Sequence, residues 1–210
     1  MEFNMNTSKK LLLAGLALCF LQSQAMNQDA AVAEATVSYI YYPSQVTLVG
    51  VGHAELEVKG CSWMLFSNSG SGKSSKPLSA MIDKSTRDGL PFLRFVFQVT
   101  PEDAAIVEKA IAETEGSRIS CSVGALSPLT EAGVCSIPAP LTISPLLSAA
   151  YLMACKTAGI NNIKKIEYYG NPSMTNSALK MLSGVANEAF LIGYIASVTG
   201  IVARHMRASL

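Results

Sequence analysis

The stretch FLRFVFQVTPEDAAIVEKAIAETEG, residues 92–116, places a strand and a helix back to back. Its first eight residues are mostly aromatic or β-branched and predict a strand over 92–99. Thr100 then stands as an N-cap, Pro101 occupies the first helical turn, and Asp103 is spaced to reach back to the cap. Gly116 marks the C-terminal end. A strand that feeds directly into a capped helix sets the class as α+β once its neighbours are read.

Upstream, ATVSYIYYP, QVTLVG, HAELEV and CSWMLF are short, rich in β-branched or aromatic residues, and punctuated by Pro43, Gly50, Gly52 and Gly60. They predict further strands of an antiparallel sheet packed by helices. Downstream, RISCS reads as one more strand. The segment from Gly133 is irregular and proline-rich through Pro140. It turns helical from Ser144 as N-cap and Pro145 at N1 to Gly159 at C′. INNIKKIEYYGNPS reads as a polar connector. From about residue 175 to 207 a helical hairpin or one long helix is expected. Its second part, AFLIGYIASVTGIVA, is apolar all round, as a helix buried in protein or lipid would be.

At 210 residues, 50% hydrophobic and 15% charged, the chain has room for one domain with a sizeable core. A net charge of +1 gives no field suited to nucleic acid, so no nucleic-acid partner is expected. Lys9 and Lys10 precede the apolar run LLLAGLALCFL, and Ser23 and Ala25 supply small residues before Met26. This is the plan of a secretory signal peptide, and the run is well short of the roughly 20 residues that span a bilayer. The domain plan is therefore a signal peptide over 1–25, an α+β domain over 26–185 and a C-terminal apolar helix over 186–210. The expected location is periplasmic or secreted, with membrane contact or self-association through residues 186–203.

Export leaves Cys61, Cys121, Cys135 and Cys155 in an oxidising compartment, where two disulfides have three pairings. No Cys/His spacing suits zinc, and no metal or cofactor is expected. SNSGSGKSSKP, residues 67–77, has the Gly72, Lys73 and Ser74 of a phosphate loop. Ser67 replaces its first glycine, and Pro77 stands where a helix should run. It reads as an exposed loop from which Lys73 could touch an anionic substrate.

Strand alternation puts His53, Glu55 and Glu57 on one face of GHAELEV and Ala54, Leu56 and Val58 on the other. A carboxylate beside an imidazole can orient and charge-stabilise a general base, while the plain alternative is a solvated strand face. The flanking glycines allow close approach of other backbone. His205, beside two arginines, reads as helix-end decoration. Cys135 precedes a helix and is the candidate nucleophile, because the positive end of a helix and an imidazolium both favour thiolate. A Cys121–Cys135 disulfide would remove that role. Cys155 reads as core, and Cys61 and Cys121 read as packing or disulfide partners.

The order of these elements, a strand opening GHA, a second strand, a loop, FVFQVTPEDAAIVEKAIAETEG, a cysteine and a helix ending AGI, resembles circularly permuted papain-like hydrolases. That group includes relatives of NlpC-type peptidases and lecithin:retinol acyltransferase, and the resemblance covers about residues 45–183. It implies a papain-like permuted core with His53 as base and Cys135 as nucleophile; Glu55 is the nearest carboxylate for an orienter. The family commonly has Asn before its cysteine, where this chain has Val134. Counting back from AGI puts the nucleophile near Ser144 or Pro145. The expected function is an exported thiol hydrolase or acyltransferase acting on an amide or ester, with cell-wall peptide first and lipid acyl groups second. The alternative is a catalytically inactive secreted or envelope interaction protein with disulfide-paired cysteines.

Overall fold

The computed structural model describes residues 34–43, 52–65, 73–114, 120–159 and 162–173, with the single positions Asn176, Lys180, Leu182 and Val185. The expected signal peptide, the strand QVTLVG, the apolar helix over 186–210 and His205 lie outside the described residues. The described elements are strands β1 (Ala35–Tyr42), β2 (His53–Val58), β3 (Cys61–Met64), β4 (Ser74–Pro77), β5 (Phe92–Val99) and β6 (Ile163–Tyr169). Among them run helices α1 (Leu78–Asp88), α2 (Pro101–Glu113), α3 (Cys121–Glu131), α4 (Ala139–Thr142) and α5 (Pro145–Ala158).

All six strands form one antiparallel sheet in the order β4-β3-β2-β1-β5-β6. The fold is α+β, with helices packed on the sheet. The β2–β3 hairpin closes through Lys59 and Gly60, at φ 49° and 74°. Two successive left-handed residues make the tight turn whose twist matches the strands it joins. Its register pairs Leu56 with Trp63 and Val58 with Cys61, which fixes what lies beside the start of β2.

One sheet face carries the main core. Val37, Tyr39 and Tyr41 of β1, Leu56 of β2 and Phe95 and Phe97 of β5 pack there against Val107 of α2, Leu126 and Leu129 of α3 and Leu152 of α5. Fully burying each such side chain contributes about 1.5–3 kcal/mol, so this layer holds the helices on the sheet. Leu182, from the last third of the chain, packs into the same core. The other face holds a smaller cluster of Ile40, Met81 and Phe92 beneath α1. Beside it, Arg94 bridges Glu57 and Glu167 at 2.7 Å each. Buried charge is tolerated there because it is paired.

The N-terminal helix signals at α2 hold in detail, whereas the helix ends at Glu113 with Thr114 as its C-cap, before Gly116, which lies outside the described residues. Thr100 Oγ1 accepts from the Asp103 amide at 3.1 Å, and the Asp103 carboxylate accepts from the Thr100 amide at 3.3 Å. Thr100→Ala should therefore cost about 1 kcal/mol, measured as a lower denaturation midpoint with unchanged m-value. Helix α5 starts at the Ser144 cap and ends at Gly159, at φ 68°, as expected.

One helix is added to those expected and two expectations are corrected. LSAMIDKSTRDGLP, residues 78–91, contains α1, whose inward stripe of Leu78, Met81, Ile82 and Ser85 finishes on a serine and so hides its helical period. INNIKKIEYYGNPS is not a connector throughout, since it contains β6. As an edge strand paired on one side, β6 carries Lys164, Lys165 and Glu167 without needing apolar alternation. RISCS is not a strand in its described part, because α3 begins at Cys121. Gly124 and Pro128 give that helix poor propensity, and its burial on several sides removes any polar face.

Candidate active site

The site forms where β2 begins. By register Leu65 would continue opposite Ala54, but β3 ends at Met64 and leaves the Ala54 amide without a ladder partner there. The head of α3 fills the position, and Ala54 N donates to Cys121 Sγ at 3.4 Å. One glycine makes this approach feasible, and a second lets the start of β2 lie close against β1. A Cβ on Gly124, one turn into α3, would lie 2.0 Å from the Leu65 carbonyl oxygen. A Cβ on Gly52, at φ 71°, would lie 2.3 Å from the Tyr42 carbonyl oxygen. The close approach expected of a glycine flanking His53 is thus realised at Gly52.

Helix α3 presents Cys121 at its N-terminal end. Ser120 caps it, its side chain accepting from Val123 N at 3.0 Å, while Gly124 N donates to the Ser120 carbonyl at 3.1 Å. The Cys121 amide contributes to holding negative charge on its own sulfur, together with the Ala54 amide. A helix N-terminus adds a positive field at the same place.

His53, its side chain 35% exposed, faces this thiol and the Glu55 carboxylate, with Nε2 3.6 Å from Glu55 Oε1. Burial pulls the imidazole toward neutrality, but its pairing with Cys121 and with Glu55 outweighs that and raises it to about 9. Burial pushes the Cys121 thiol up, and the His53 interaction and the two amides more than reverse this, leaving it below the usual thiol range. The two shifts run in opposite senses, each favouring the charged form of its group, thiolate for Cys121 and imidazolium for His53. The Tyr42 ring stacks on the imidazole at 5.9 Å between centroids and 30° between planes, which limits its rotation.

Glu55 is the third member. It is only 3% exposed, so the face that could have been solvated is covered. Ser62 Oγ donates to its Oε2 at 2.6 Å and Lys76 Nζ to its Oε1 at 2.9 Å. Burial would raise the carboxyl, but His53, Ser62 and Lys76 hold it down at about 2. Glu57, which shares the strand face, turns to Ser38, Arg94 and the Gly60 amide and belongs to the structural network.

The structure brings together His53 and Glu55 but pairs them with Cys121 rather than Cys135. The two cysteines sit at opposite ends of one helix. Past the C-terminal end of α3, the amides of Val134 and Cys135 both donate to the Leu129 carbonyl, at 2.9 and 3.3 Å, folding Cys135 into the core. Burial and the neighbouring Cys155 push its thiol up to about 12. The 11 residues of α3 span roughly 16 Å, and its dipole opposes a thiolate at that end. No disulfide joins any of Cys61, Cys121, Cys135 and Cys155, so the alternative of a Cys121–Cys135 bridge is not realised. In the sequence, Ser120 just before Cys121 was the available sign, an N-cap residue followed by a thiol at the helix head.

Lys73 is accounted for elsewhere. Its Nζ donates to the Ile111 and Ala112 carbonyls at 3.0 and 2.8 Å, closing the C-terminal end of α2. The helix of a phosphate loop would start there, but Lys73 leads into β4. A cavity of about 240 Å³ beside this lysine is lined by Val58, Cys61, Trp63 and Glu108 among others, and it includes none of His53, Glu55 or Cys121. Among the described residues no group of three or more His, Cys, Asp or Glu could hold a metal ion, and no helix is long and apolar enough to cross a membrane. Comparison of the chain with family models, with curated proteins and with solved structures gives no match in any of the three.

Proposed function

We propose that the chain is a thiol hydrolase or acyltransferase acting on an amide or ester, with Cys121 as nucleophile, His53 as proton carrier and Glu55 as its orienter. The observation that carries the reading is the Cys121 thiol at the head of α3, accepting from Ala54 N at 3.4 Å beside an imidazole that turns Nε2 to a buried carboxylate. A thiol that is partly desolvated, fed by amide donors and paired with an imidazolium is the activated form of the nucleophile.

In the mechanism the Cys121 thiolate attacks the carbonyl carbon, and the oxyanion that forms takes hydrogen bonds from amides at the head of α3. His53 gives its proton to the leaving nitrogen or oxygen as that bond breaks, producing an acyl-thioester and neutral imidazole. Water or another acceptor then attacks the thioester while His53 takes the proton from it. Release of the acyl product returns the thiolate–imidazolium pair.

The order of parts, a histidine strand followed by a cysteine heading a helix on the sheet, supports the papain-like permuted core suggested by resemblance, with the nucleophile moved to Cys121. Together with the leader-like residues 1–25, it makes cell-wall peptide the first substrate class to test and lipid acyl groups the second.

The direct test is competitive alkylation with iodoacetamide at pH 6, mapped by peptide mass spectrometry. Cys121 should react at least about 10-fold faster than the partly exposed Cys61, and His53→Asn should remove that advantage. Equal rates at the two cysteines would sink the proposal.

A further inference from the structure

The carboxylate of Glu55 is shared, and the partner with the shorter contact is not the histidine. Its Oε2 accepts from Ser62 at 2.6 Å and from the Tyr42 hydroxyl at 3.5 Å. Its Oε1 stands 3.6 Å from His53 Nε2 but accepts from Lys76 Nζ at 2.9 Å. Lys76 sits on the edge strand β4 opposite Ser62, and β4 is exposed at each of its four positions. The lysine stem carries the ammonium over the sheet to Glu55, where it also lies 5.8 Å from the centre of the Tyr42 ring. That ring stacks on His53 with its centroid 5.9 Å from the imidazole. One cation therefore touches both the carboxylate and the ring that hold the imidazole in place.

Resting on the proposed thiol chemistry, we propose that Lys76 is a positioning residue of the site: a standing counter-cation that keeps Glu55 ionised and neutralised while His53 gives up and regains its proton. The reason lies in what Glu55 would meet without it. When His53 hands its proton to the leaving group, a buried carboxylate would be left with only the hydroxyls of Ser62 and Tyr42. An uncompensated buried charge is costly, so Glu55 would instead hold the proton on His53 and resist the transfer. With Lys76 present, the carboxylate has a cation partner in both states of the imidazole, and the pull on the proton is moderated. Lys76 Nζ makes its ion pair with Glu55, so it acts on the imidazole through that carboxylate.

Among the described residues, few groups face His53. Cys121 approaches from α3, Glu55 from its own strand and the Tyr42 ring from β1. Lys76 of β4 and Ser62 of β3 reach it through Glu55. The chain has only two histidines, so an imidazole NMR titration can be assigned by the signal that His53→Asn removes.

In the full chain, Lys76→Met should move the His53 midpoint upward by roughly one pH unit, and Lys76→Arg should return it close to the wild-type value. In a Glu55→Gln background, Lys76→Met should move it much less. A midpoint unchanged or lowered in folded Lys76→Met overturns the proposal, as does an equal shift with and without Glu55. Failure of the thiol chemistry would be seen separately, as wild-type Cys121 alkylating no faster than Cys61, whatever Lys76 does to the titration.

Discussion

Cys121→Ser is expected to lower turnover of an activated ester by at least about 10³-fold and to abolish the acyl-enzyme adduct seen by intact-protein mass spectrometry. A hydroxyl at this position lacks the thiol's acidity. The amides of Ala54 and Cys121 and the His53 imidazolium suffice to depress a thiol but leave a serine hydroxyl protonated. The contrast with Cys135→Ala makes the test specific. That change removes a buried sulfur from the core and should cost roughly 1–2 kcal/mol of stability, while leaving the adduct on Cys121. An adduct that persists in Cys121→Ser and disappears in Cys135→Ala would reverse the assignment of the two cysteines.

The second large effect belongs to a residue with no side chain. Gly124→Ala places a methyl group 2.0 Å from the Leu65 carbonyl oxygen and 2.9 Å from its carbon, inside any tolerable contact. The obstacle is backbone, which cannot swing aside as a long side chain would. Either α3 lifts away from the end of β3 or the hairpin bends. The expected cost is about 2–4 kcal/mol, with the Cys121 sulfur withdrawn from the Ala54 amide. Thermal unfolding and the iodoacetamide rate at Cys121 read the two consequences together. If the variant keeps both the wild-type midpoint and the wild-type alkylation rate, helix α3 is not seated as described.

Local chemistry made much of this fold legible in the sequence. Thr100, Pro101 and Asp103 specify the start of α2 through bonds within four residues, and Ser144 and Gly159 bracket α5 in the same local way. The alternation of His53, Glu55 and Glu57 against Ala54, Leu56 and Val58 follows from strand geometry, and those faces are the observed ones. The proposed nucleophile, Cys121, was hidden because its setting depends on tertiary seating. Gly124 and Pro128 disguise α3 as something other than a helix, although Gly124 is what lets the helix head reach the sheet. With α3 unseen, the next helix appeared to be the one a cysteine should lead, and that drew attention to Cys135. Lys76 was equally invisible. Its role arises from a pairing across β3 that only the sheet order reveals.

The thiol and its activators are far apart along the chain. Cys121 and Ala54, which share a hydrogen bond, are separated by 67 positions, and the strands between them must pair before α3 has a seat. Until that happens Cys121 is an ordinary thiol titrating near 8.5, mostly protonated and slow to react at neutral pH. The reactivity proposed for Cys121 is therefore a property conferred by completed folding rather than carried by the polypeptide. A newly made chain, or one threading through a membrane unfolded, would pass its surroundings without acylating itself or its neighbours. The close fit of Gly124 against the Leu65 carbonyl thus also sets when the proposed chemistry is switched on.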